Sequence, residues 1–130
     1  MKSNIEVNFS HVILYVKSVT IAEFFYTNII GLKPHRVNEN KLRVEFKVKN
    51  ISILFLSDTF LENMINVNLK NDYITPTELV FTTEEPEQLY ELALQNGATA
   101  VKRPEESEDG LITAIVRDPN GVLIRILCYD

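Results

Sequence analysis

Two kinds of apolar pattern alternate along this chain, and between them they predict most of its elements. In LRVEFKV, Leu42, Val44, Phe46 and Val48 fall on one side and Arg43, Glu45 and Lys47 on the other. That period of two is the mark of a half-buried strand. HVILYV (His11 to Val16) is β-branched and aromatic and reads as a buried strand, and ISILFL, from Ile51, reads as a further strand. Between His11 and Leu42 lies VTIAEFFYTNIIGLKP, whose apolar residues recur at helical spacing. Ile21, Phe24, Phe25, Ile29 and Ile30 make the predicted stripe, and Gly31 closes the helix ahead of Pro34. With a turn at Lys49 and Asn50, the first half reads strand, helix and three strands.

The second half repeats this order. ELVFTT predicts a strand, EPEQLYELALQNG a helix with Pro86 near its start and Gly97 at its end, and TAVKRP a short extended stretch. Strands LITAIVR and VLIRIL follow, joined by the turn DPNG. Setting His11 on Glu78 matches strand to strand and brings Gly31 to within one residue of Gly97. Placing Lys49-Asn50 on Asn120-Gly121 brings ISILF onto VLIRI. The chain therefore reads as an internal duplication, visible in pattern more than in identity. The connection from Ser57 to Pro76 is long for a compact domain and predicts a linker with a short helix or a lid. Its TFLENMI would present Phe60, Met64 and Ile65 to the core, to a subunit contact or to a ligand.

Composition narrows the class. The 130 residues are 45% hydrophobic and 24% charged, enough for one ordinary core. Thirteen basic against eighteen acidic residues give a net charge of −5, with the basic ones scattered, which argues against nucleic acid. No apolar run approaches the roughly 20 residues of a membrane helix, and MKSNIEVNFS has no apolar centre of a leader peptide. The expectation is a cytoplasmic protein with no membrane partner. Cys128 is the single cysteine, so it forms no disulfide within the chain and reads as a small apolar residue ending the last strand.

The opening HVILYV…FFYTNIIGL and the closing DPNGVLIRI, within two strand-helix-three-strand modules, resemble the vicinal oxygen chelate superfamily: glyoxalase I, the bleomycin resistance proteins and extradiol dioxygenases. The resemblance implies an α+β fold. Two βαβββ modules, about 9–56 and 77–130, would curl mixed sheets into a cup with helices outside, joined by the linker 57–76. In metal-dependent members of that superfamily four cup residues chelate a divalent ion. The matching positions here carry His11, Leu54, Glu78 and Arg125. Leu54 has no lone pair, and Arg125 brings a charge that no ordinary pH removes. A divalent centre needs three or more converging donors, so the expectation is a cup with neither metal nor cofactor.

If His11 faces the cup, alternation sends Ile13 and Tyr15 the same way, with Ser52, Leu54 and Leu56, Glu78, Val80 and Thr82, and Leu123, Arg125 and Leu127. Arg43, Glu45 and Lys47 join this inner or open face. Candidate ligand-binding residues are thus His11, Tyr15, Arg43, Glu45, Leu54, Glu78 and Arg125. Glu78 and Arg125, on neighbouring strands of the implied topology, would equally form an internal ion pair. No catalytic residue is assigned, and His11 with Glu78 is the one acid-base candidate. His35 reads as a surface residue. The acidic EESEDG, Glu105 to Gly110, reads as a solvated loop that would attract a cation if it lay at the cup mouth. With no tryptophan in the chain, stacking would fall to Tyr15, Phe60 or Tyr73.

Three functions compete on these residues. The leading one is a metal-free small-molecule-binding protein of the glyoxalase and bleomycin-resistance type that sequesters an antibiotic or metabolite, as a homodimer. The alternative is an isomerase or lyase acting on a small oxygenated metabolite through His11 or Glu78 and Arg125. The third is a structural module whose cup holds nothing.

Overall fold

The computed structural model describes residues 6, 10–37, 42–59 and 77–129. Strand β1 (His11–Val16) leads into helix α1 (Val19–Phe24), and the helix continues as a π-helical segment over Phe25–Ile30. Strands β2 (Pro34–Val37), β3 (Arg43–Val48) and β4 (Ile51–Ser57) complete the first module. The second consists of β5 (Glu78–Thr82), α2 (Pro86–Gln95), β6 (Thr99–Glu106), β7 (Ile112–Arg117) and β8 (Leu123–Cys128).

The two sheets have equivalent strand orders, β1-β4-β3-β2 and β5-β8-β7-β6, each with one parallel pair at its edge. The registers repeat as well: His11 pairs with Ser52 as Glu78 pairs with Leu123. An α+β fold of two βαβββ modules is what the structure shows. On the side away from the cup, Val44, Phe46, Phe55, Ala114, Val116, Ile124 and Ile126 are fully buried against the helices. They form one continuous core that includes residues of both modules.

The first helix departs from its predicted stripe. Val19, Ala22, Phe25 and Tyr26 are buried, whereas Ile21 and Phe24 are exposed. The helix also changes type along its length: Gly31 N–H donates to Tyr26 O, five residues back, at 3.1 Å. The buried set Val19, Ala22, Phe25 and Tyr26 still falls at i, i+3, i+6 and i+7, one helical face, and the wider turn follows it toward Gly31. Gly31 ends the helix at φ +94°, a left-handed backbone that glycine adopts without strain.

Several boundaries also shift. Pro34–Val37, within what reads as a polar stretch, is an edge strand on β3, and His35 is exposed as expected. Ser57, set at the head of the linker, is instead the buried last residue of β4. Residues 60–76, with Phe60, Met64, Ile65 and Tyr73, lie outside the described residues. The acidic run does not form a single loop: Glu105 and Glu106 belong to β6, where Glu105 pairs with Lys102 at 3.7 Å. Only the end of the run turns, with Ser107 Oγ bonded to Asp109 Oδ1 and Leu111 N–H donating to the same oxygen.

The two hairpin turns, aligned as equivalents from the sequence, differ in length. Lys49 and Asn50 alone join the pair Val48–Ile51, with Lys49 at φ +56°. Five residues, 118 to 122, separate Arg117 from its partner Leu123. The longer turn ties the modules together. Asp118 Oδ1 accepts from the backbone N–H groups of Asn120 and Val122, each at 2.8 Å, and Oδ2 accepts from Tyr26 O–H at 2.6 Å. Asn120 brackets Ser18, accepting from its N–H and donating to its carbonyl, both at 2.9 Å. Ser18 in turn caps α1, its Oγ accepting from Ile21 N–H.

Tyr26 is fully buried at this junction. It stacks on Phe55 of the first module, with ring centroids 4.6 Å apart, and lies 6.5 Å from Phe81 of the second. Burial first, then the neighbouring Asp118, pushes its phenol well above the usual range. Burial also raises the Asp118 carboxyl, although four donors, Tyr26 first, oppose the shift.

Candidate functional site

The face opposite the core carries the residues that alternation assigns to the cup. Register places Tyr15, Leu56 and Arg43 in one row, Ile13, Leu54 and Glu45 in the next, and His11, Ser52 and Lys47 in a third. The second sheet has corresponding rows of Glu78, Leu123 and Arg117, of Val80, Arg125 and Ile115, and of Thr82, Leu127 and Thr113. The neighbours of these residues along each strand are those buried in the core, which fixes the parity.

Glu78 and Arg125 meet. Arg125 Nε donates to Glu78 Oε2 at 3.1 Å and Nη2 to Oε1 at 2.9 Å, a two-pronged ion pair. The side chains are 32% and 34% exposed, so the pair faces solvent within the cup. Hydrogen bonding from Arg125 holds the Glu78 carboxyl below its ordinary value, and the same contact raises the guanidinium. Val80, paired with Arg125 across the strands, is 51% exposed, and Ile13 is 38% exposed. The floor therefore offers bare aliphatic surface beside a fixed charge pair.

Other predicted partners are not brought together. His11 opens β1 as an exposed residue, and its Nδ1 is bonded to Ser10 Oγ at 2.6 Å. Glu78 is engaged by Arg125 and not by His11, so the acid-base couple is not assembled in this structure. Leu54 lies on the cup side but is nearly covered, at 8% exposure. Tyr15, Arg43 and Glu45 are half-buried on the same side. A groove of about 240 Å³ runs along α1, lined by Thr20, Glu23, Phe24, Thr27, Asn28 and Pro34, and none of the cup-facing residues lines it.

The donors do not fit the divalent chelate that the resemblance implies. Of the four matching positions, Leu54 brings no donor, Arg125 brings a cation, and the Glu78 carboxylate is already committed to that cation. Among the described residues no three His, Cys, Asp or Glu side chains are grouped to hold an ion. None of the described helices is long and apolar enough to cross a membrane.

Sequence reasoning found the face and the ion pair but missed the clasp at Asp118 and Asn120. DPNG stood out only as a turn and as a family signature. A turn with both an Asp and an Asn, two side chains that commonly satisfy backbone groups, was the available signal.

No curated protein matches the chain. Among solved structures it is similar to a glyoxalase-related enzyme from Fulvimarina pelagi, at 15% identity and TM-score 0.80 over 94% of this chain and 88% of that one. It is also similar to a glyoxalase/bleomycin resistance protein/dioxygenase family enzyme from Burkholderia phytofirmans PsJN, at 22% identity and TM-score 0.76 over 92% and 96%. A lactoylglutathione lyase from Agrobacterium tumefaciens shares the fold at 16% identity and TM-score 0.67 over 95% and 94%. The model of one family matches residues 8–126, nearly the whole length. By that match and by its fold, the chain belongs to the Glyoxalase/Bleomycin resistance protein/Dioxygenase superfamily.

Proposed function

We propose that this chain is a small-molecule-binding protein of the glyoxalase and bleomycin-resistance type whose cup works without a divalent metal. The observation that carries the reading is the Glu78–Arg125 pair, which stands where metal-dependent relatives place two of their ligands. A bound cation there would face a permanent positive charge and would have to strip Glu78 from its partner. The exposed Val80 beside the pair, with Ile13 exposed on the other sheet, supplies the kind of apolar contact that small-molecule sites use.

Elemental mass spectrometry of protein purified without chelators should find no stoichiometric transition metal. One metal per chain would overturn the reading. A ligand found by thermal shift should raise the melting temperature progressively with the logarithm of its concentration above Kd, because it binds the native state alone. We include a second copy of the chain as partner in this proposal, since β1 and β5 are both edge strands of their sheets. Sedimentation equilibrium at twice the chain mass is the expected result.

A second reading makes the protein an isomerase or lyase in which Arg125 holds a substrate oxyanion; it draws on the fold shared with the Agrobacterium lyase. Arg125→Leu would then abolish turnover with the fold intact. The separation of His11 from Glu78 leaves this reading without an assembled proton-transfer pair, which is why it stands second.

A further inference from the structure

The Arg125 fork is the best-prepared recognition element in the cup, and in the free protein it is filled by a carboxylate from its own chain. Both prongs are satisfied by Glu78 at ordinary hydrogen-bond lengths. Yet the pair is about one-third exposed on each side, and an ion pair so open to water contributes little to folding. Its effect is to hold the planar guanidinium aimed, in the orientation a second carboxylate would need.

The surroundings favour the same charge. The cup face carries Arg43, Lys47, Arg117 and Arg125 against Glu45 and Glu78, with Lys102 and Glu105 of β6 paired to each other, in a chain whose net charge is −5. Among the described residues no carboxylate pairs with Arg43 or Lys47, and Arg117 donates to the Gly121 carbonyl. This face therefore runs against the sign of the whole molecule, and such a local field draws anions. Val80 lies beside Arg125 in the sheet and is half-exposed, so an anion seated on the fork would rest its apolar part on that side chain.

We propose that the ligand is a carboxylate attached to an apolar body, and that Glu78 is an internal stand-in for it, displaced from Arg125 when the ligand enters. The inference rests on the reading of the cup as a small-molecule site and adds the ligand's class and its competitor. Glu78 then acts as a threshold: weak anions fail to displace it, and ligands with enough apolar contact succeed. Like any glutamate at neutral pH it is ionised, and it therefore competes as a full carboxylate.

Titration calorimetry on the intact chain tests this with benzoate, phenylacetate and 3-phenylpropionate, each beside its carboxamide, and with benzylamine. The acids should bind and the amides and the amine should not. Arg125→Leu should weaken the acids by about tenfold or more, the scale of one lost charge-assisted hydrogen bond. Glu78→Gln should tighten them, the opposite of what a direct ligand contact or a structural pair would give. Circular dichroism of both variants would confirm that the fold is kept. If amides or the amine bind as well as the acids, or if Glu78→Gln weakens the acids, the carboxylate inference falls while the small-molecule reading stands. If acids, amides and amine all fail to bind the wild type, both fall.

Discussion

At the scale of single residues, the tightest demands in this molecule fall on Tyr26 and Asp118. A buried phenol donates at 2.6 Å to a buried carboxylate 92 residues away in sequence. Tyr26→Phe keeps the ring stack but removes the donor, leaving Asp118 Oδ2 short of a partner; urea titration should show a loss of about 1–3 kcal/mol. The pH dependence follows from the shift. Tyr26 has a folded pKa above its ordinary value near 10, so the folded state keeps this proton longer than the unfolded chain does. Stability must then fall as pH rises above about 10, and Tyr26→Phe should flatten that alkaline loss while lowering the plateau. The sequence could not disclose this bond, because neither partner carries a pattern that points across so long a separation. Glu78 and Arg125 were legible for the opposite reason: each sits in an alternating strand, and parity alone puts them on one face.

At the scale of elements, glycine marks the ends of both helices, but under different constraints. Gly31 and Gly97 have φ near +94° and +100°, so a side chain at either is strained. A Cβ at Gly31 would meet nothing within 4 Å, whereas one at Gly97 would approach Pro119 Cγ at 3.3 Å. Gly31→Ala should cost about 1–2 kcal/mol through backbone strain, and Gly97→Ala should cost more in the same urea titration. A smaller loss at Gly97 would mean that Pro119 yields freely. Strands β1, β3, β4, β7 and β8 were readable from apolar runs and alternation. The switch within the first helix was not, since apolar or aromatic residues at seven of the ten positions from Ile21 to Ile30 allow more than one inward face. The extent of β6 was hidden too, because its eight residues are almost all exposed and lack an apolar rhythm.

At the scale of the whole molecule, one core spans both modules, and a second set of polar bonds fastens them. Unfolding should therefore be a single transition, with far-ultraviolet dichroism and tyrosine fluorescence changing together; separate midpoints would show that the modules melt independently. Asn120→Ala removes both bonds to Ser18 and should lower stability by about 1–2 kcal/mol. Hydrogen exchange at the start of α1 should speed up with it, since that is where the tie ends. The three extra residues in the second hairpin carry a historical consequence as well. If the chain arose from a doubled half-gene, its halves have since ceased to be interchangeable: recombination that copied the short turn over the long one would preserve every strand and erase the fastening.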